Sequence, residues 1–289
     1  GCHAKGGRRL KMTSAPMISA LSSFAKAELY SMYFSKAANA QARSLYEQAS
    51  NADKTFGRPC AELAYAILQA YLYNWLDADF VDPKQKMFDW AYEALQRDPN
   101  DPNNKWIMAN VHLYRKEFSD AASGYAALGN DKLNTSMPGE EWAYPVDYAD
   151  LLLLTGNPKQ AISIVKDQVL KNCPVPEKWF YWVLAWAYYV DGQHQASLDE
   201  LANFPNPRNA IRKNVIANLA ACGQVDDAKA QAKIFLLEEK AQEITYADPG
   251  EPVIDGILLV EERVPFQLDS ARDRWTDDLT KAFTGLVQP

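Results

Sequence analysis

Few residues of this chain are of a kind that does chemistry, and their spacing argues against most of it. There are three histidines and four cysteines in 289 residues. His112 lies in an apolar helical stretch and reads as a packing histidine. His194 follows Gly192 in a turn, and His3 belongs to a short basic N-terminal run. A serine or cysteine nucleophile would therefore have no evident base. The cysteines at 2, 60, 173 and 222 form no CxxC pair and no zinc spacing, which fits free thiols of a cytosolic protein. Asp77, Asp79 and Asp82 crowd into DADFVD, but the glycine and closing glutamate of a calcium loop are missing. The adjacent acids Asp226-Asp227, Glu238-Glu239, Glu261-Glu262 and Asp277-Asp278 diverge by about 100° on a helix, so they read as solvated surface. HExxH, GxGxxG, GxxxxGK[ST] and GxSxG do not occur. The expectation is no catalytic residue, no metal and no cofactor.

What stands out instead is aromatic. In WFYWVLAWAYY, residues 179–189, Tyr181, Leu184 and Tyr188 share one helical face. Trp179, Trp182, Trp186 and Tyr189 recur over an arc of about 80° on the opposite side. Such a stripe either packs against neighbouring helices or presents large, rotor-poor surfaces to a ligand.

The elements that would position it are helices. The composition is that of an ordinary globular protein, 48% hydrophobic and 23% charged. The net charge of −7 argues against a nucleic-acid partner. The run Leu151–Leu154 is far shorter than the ~20 apolar residues of a membrane span. Strand signals are almost missing. Asp-Pro or Asn-Pro occurs at Asp82, Asp98, Asp101, Asn157, Asn206 and Asp248, the pairing of a capping residue with a first-turn proline. Most of these dipeptides read as helix starts.

A repeat links these helices. The pattern large-x2-Leu-small-x2-large, followed by Ala-x3-large, fits Tyr181, Leu184, Ala185, Tyr188, Ser197 and Leu201. It also fits Pro145, Tyr148, Ala149, Leu152, Ala161 and Val165. Further units start at Lys26, Lys105 and Arg212. In five units the last large residue precedes the small one by nine: Tyr33 to Ala42, His112 to Ala121, Leu152 to Ala161, Tyr188 to Ser197 and Leu219 to Ala228. A sixth unit, from Cys60 to Pro99, needs about eleven extra residues between its helices, including NWLDADFVDP. On these residues the chain resembles the tetratricopeptide (TPR) repeat family over roughly 24–240. RSLYEQA, WAYEALQRDPNDPN, WFYWVLAWAYYVDGQ, LAACGQVDDAKA and the terminal PFQLDSARDRW resemble the TPR region C-terminal to bacterial class III adenylate cyclase domains. No cyclase catalytic sequence accompanies them.

The resemblance implies an all-α, right-handed superhelical solenoid of about six helix pairs. Residues 1–17 read as an N-terminal tail, 18–240 as the array, and 241–289 as a linker and capping helix that begins near Asp269 or Ser270. In that family the far side of each first helix lines a concave groove. The groove would hold Trp179, Trp182, Trp186 and Tyr189, then Asn103, Trp106, Asn110, Leu113 and Tyr114, then Val146, Asp150 and Leu153, and Lys213. A clamp for acidic peptide tails needs more Lys, Arg and Asn than this. The implied function is a non-catalytic scaffold or regulatory module that binds a protein or peptide, with a small-molecule sensor as the alternative. The cytoplasm is the expected compartment, with a lipid-anchored or periplasmic protein as the alternative if Cys2 is a processed lipoprotein end.

Overall fold

The computed structural model describes residues 15–130 and 140–289, so Cys2 and His3 lie outside the described residues. Twelve helices form six antiparallel pairs: α1 (Ala15–Ser31) with α2 (Lys36–Ala52), α3 (Arg58–Leu72) with α4 (Pro83–Arg97), and α5 (Pro102–Tyr114) with α6 (Phe118–Asn130). The array continues with α7 (Glu140–Leu154) against α8 (Pro158–Ser163), which runs on as a π-helical segment (Ile164–Leu170). It ends with α9 (Lys178–Val190) on α10 (His194–Leu201), and α11 (Asn209–Ala221) on α12 (Val225–Ala241). Each pair packs on the next, and among the described residues there is no strand. The protein is an all-α, TPR-like solenoid.

The constant nine-residue interval has a local cause. In units three to six the first helix ends in a residue of positive φ: Lys116, Gly156, Gly192 or Gly223. The next amide turns back onto the carbonyl of the last large core residue. Glu117 N donates to His112 O, Asn157 N to Leu152 O, Gln193 N to Tyr188 O and Gln224 N to Leu219 O. This closure satisfies the orphan carbonyls at the helix end and fixes where the second helix starts. The small residue is then always the fourth of that helix. Ala121, Ala161, Ser197 and Ala228 are each 0% exposed, small residues that let the paired helices pack together.

Unit one departs from the frame. Its second helix begins at Lys36, capped by the Ser35 hydroxyl, so Ala42 falls a turn later. Leu29 and Tyr33 are 62% and 73% exposed, so the nine-residue match there is coincidental. The proline dipeptides divide as well. Asp82 and Asp101 accept hydrogen bonds from Gln85 N (3.1 Å) and Asn103 N (2.9 Å) and start α4 and α5. Asn157 precedes α8 without a side-chain cap, whereas Asp98, Asn206 and Asp248 start no helix.

Two long-range features shape the interior. The insert of unit two brings the ends of the array together. Trp75 is buried and packs with Ala70 and Ile244, with Phe34, Tyr73 and Tyr246 alongside. Lys36 N donates to Gln242 Oε1 (3.2 Å) and Asn74 Nδ2 to Thr245 O (3.5 Å). The C-terminal segment adds α13 (Ile254–Glu261) and α14 (Asp269–Phe283), the latter packed on α11 and α12. Between them, residues 261–268 cross the ends of the first helices. Arg263 donates to Tyr71 O and Gln267 N to Leu154 O (2.9 Å), and Leu268 lies on Gly156. From α14, Arg274 Nη1 donates to Val190 O (3.1 Å). The segment thus hydrogen-bonds carbonyls at the C-terminal ends of α3, α7 and α9.

Candidate functional site

The inner faces of α3, α5 and α7 carry Tyr65, Trp106, Tyr114, Asp147 and Asp150. Tyr65 and Trp106 lie with ring centroids 6.0 Å apart, and Trp106 meets Tyr144 at 5.4 Å. The Trp106 indole Nε1 donates to Asp147 Oδ2 at 2.7 Å. One turn along α7, Asp150 is held by the Tyr114 hydroxyl. All four of Trp106, Tyr114, Asp147 and Asp150 are half-buried.

The electrostatics of this patch are unusual. Desolvation, with the neighbouring Asp150 charge second, pushes the Asp147 carboxyl up to about 8 against the Trp106 hydrogen bond. Desolvation likewise raises Asp150 to about 7, opposed by the Tyr114 hydroxyl. Neither acid has a Lys, Arg or His partner among the described residues. Burial first, and these acids second, also raise the Tyr65 and Tyr114 hydroxyls. At neutral pH the two carboxyls can donate as well as accept.

Other residues expected in the groove are placed differently. Asn110 is buried and donates to Trp106 O at 3.2 Å. Leu113, Val146 and Leu153 are core, each 0% exposed. Asn103 is buried, donating to Glu62 Oε1 (3.0 Å) while its Oδ1 has no partner. Lys213 is committed to Glu261, 2.6 Å away in a largely buried ion pair.

The aromatic stripe of α9 is split three ways. Trp179 lies across Phe180 and donates to Glu177 Oε2 (2.9 Å) near the helix start. Trp182 wedges between units five and six against Leu201 and Ile211, its Nε1 donating to Asn214 Oδ1 (3.0 Å). Trp186 and Tyr189 are covered by the C-terminal segment. Trp186 meets Phe266 at 5.6 Å and Trp275 at 4.9 Å, and the Tyr189 hydroxyl donates to Asp278 Oδ2 at 2.8 Å. Tyr189 is 1% exposed.

No family model matches the chain, and no curated protein matches it. Among solved structures it is similar to one described as "Functional Characterization of Pseudomonas Aeruginosa pilF", at 13% identity and a TM-score of 0.46. That match covers 79% of this chain and 93% of the other. The solenoid assignment stands on the helix pairing itself.

Two further clusters complete the picture. Where the closed array meets the insert of unit two, a pocket of about 300 Å³ is lined by Phe34, Tyr73, Trp75, Arg208, Lys213 and Tyr246, among others. At the α5–α6 turn, His112, Glu117 and Asp120 bring potential ligand atoms within 4.8 Å of one another. There His112 Nδ1 and Arg115 Nε already occupy both Glu117 oxygens, at 2.6 and 2.9 Å. Asp147, Tyr65 and Tyr73 were not singled out from the sequence. Asp147 and Asp150 one turn apart within the apolar run Trp142–Leu154 was the available signal.

Proposed function

We propose that this protein is a non-catalytic binding module that takes a peptide or the end of a partner helix on the inner face of α3, α5 and α7. The observation that carries this reading is the half-buried constellation of Tyr65, Trp106, Tyr114, Asp147 and Asp150. Its rings offer contact area with few rotors, and its two acids have no cationic partner among the described residues. Among the described residues no nucleophile–base pair stands beside it, which favours binding over turnover. The resemblance to cyclase-associated repeats suggests a regulatory setting.

A second reading, a small-molecule sensor, rests on the pocket of about 300 Å³ behind Trp75 and Tyr246, at the low end of typical ligand sites. The two readings are separated by capture and mass spectrometry with wild type, Trp106→Ala/Tyr114→Ala and Tyr246→Ala. Loss of a captured partner only in the first variant, with its melting temperature kept, supports the binding module. Capture unaffected by Trp106→Ala/Tyr114→Ala overturns it.

A further inference from the structure

We propose that the half-buried patch around Asp147 and Asp150 binds an organic cation, an ammonium or guanidinium group, seated between the two carboxylates and the rings of Tyr65, Trp106 and Tyr114. This rests on the binding-module reading and names the chemistry that the inner face recognises.

Three observations converge. First, two carboxylates stand one turn apart on α7 with no cation from the chain paired to either among the described residues. Like charges so placed repel, and desolvated acids cost free energy unless neutralised. A folded protein answers with protonation or with a bound cation, and this site is set where the two compete. Second, Tyr125 of α6 is 4% exposed, yet its hydroxyl has no hydrogen-bond partner. After desolvation, Asp147 and Asp150 are the strongest influences on that hydroxyl, so it lies near the acid pair. A buried hydroxyl left unmatched costs free energy that a ligand N–H could recover. Third, the neighbours of the acids are aromatic rings, which attract organic cations and discriminate against small hydrated ions. The lining suits a primary ammonium or a guanidinium, whose several donors can address Asp147 and Asp150 together.

Protons follow the cation. A bound ammonium favours both ionised carboxylates, so binding at neutral pH expels protons that Asp147 and Asp150 hold when the site is empty. Affinity therefore rises with pH through 7 to 8 and then levels. Among the described residues the titratable groups around the pair are Tyr65 from α3 and Tyr73 at its C-terminal end, with the Arg58–Glu62 ion pair beside Tyr65, Tyr114 from α5 and Tyr125 from α6. The tyrosines stay neutral across that range because burial raises them.

Calorimetry with the whole chain tests this, using spermidine, acetyl-Ala-Lys-Ala-amide, acetyl-Ala-Arg-Ala-amide and the norleucine peptide as uncharged control. At least one cationic probe is expected to bind, with proton release seen as a heat that depends on the buffer's ionisation enthalpy. Asp147→Asn/Asp150→Asn is expected to weaken it about tenfold or more. Spermidine alone binding identifies a free polyamine as the source of the cation, and peptide binding identifies a partner's side chain. Saturation by no cationic probe, equal binding of the norleucine peptide, absence of proton release by wild type, or unchanged affinity in the folded double variant each overturns the proposal. The proton-release arm needs no variant, so it stands even if the double variant fails to fold. Partner capture unchanged by Asp147→Asn/Asp150→Asn but abolished by Trp106→Ala/Tyr114→Ala overturns the cation site and leaves the binding module intact.

Discussion

The two halves of the inner face began from the same repeat positions and met different fates. In α9 the positions of the first helix that face inward hold Trp186 and Tyr189, and the C-terminal segment lies on both. In the repeat frame Asp150 of α7 stands where α9 has Trp186, and Trp106 of α5 where α9 has Trp182; with Tyr114 beside them, these stay half-buried. The covered half is apolar and closed by Phe266 and Trp275. The half left uncovered is the one with acids. Phe266, Ala271, Trp275 and Leu279 of the tail have apolar partners around α9 and α11, whereas burying them on Asp147 and Asp150 would desolvate two carboxylates without compensation. What the chain covers with its own tail is core, and what it leaves is the candidate site.

That contrast breaks most visibly at Trp275. It is 1% exposed, stacks on Trp186 and donates to Glu261 Oε2 at 2.9 Å. Trp275→Ala should cost about 3–5 kcal/mol, the range for emptying a buried tryptophan site. It also leaves Glu261 with Lys213 as its remaining partner. Denaturant unfolding checks this, and a loss below ~1 kcal/mol would mean that the tail is not part of the core.

A middle-sized effect is expected in the pH dependence. Asp147 and Asp150 hold their protons to about 8 and about 7, against the ordinary aspartate value of 3.8 in the unfolded chain. Between those values the unfolded state binds fewer protons than the folded one. Their contribution is thus fully present below about pH 4 and is lost as pH rises through 7 and 8. Asp147→Asn/Asp150→Asn should remove this slope and melt higher than wild type at pH 8, relative to pH 5. Parallel melting curves for the two proteins from pH 5 to 8 would show that the acids are solvated.

The smallest effect concerns metal. Chelation by EDTA should leave helicity and melting temperature unchanged, because Arg115 already meets Glu117 in the His112, Glu117, Asp120 cluster. A fall of several degrees would point there before Asp77, Asp79 and Asp82.

The helix pairs were legible in the sequence for a local reason. A Schellman-type closure at Gly156, Gly192 and Gly223 fixes the distance from the last core residue of one helix to Ala161, Ser197 or Ala228 of the next, and only a few neighbouring residues decide it. Trp106, Tyr114 and Asp150 were legible as inward-facing for the same reason, since helical period and repeat frame assign a face. Trp182, Trp186 and Tyr189 were assigned that face too, but their surroundings were not, and neither the period nor the frame could supply them. Which inner positions are covered depends on small rotations added from pair to pair until Phe34 and Trp75 meet Ile244 and Tyr246, about 170–210 residues away along the chain. It depends also on where residues 261–268 then cross. Asp147, Tyr65 and Tyr125 converge because three units curve around them, so their meeting, and the burial that alters the chemistry of both acids, belongs to the tertiary structure alone.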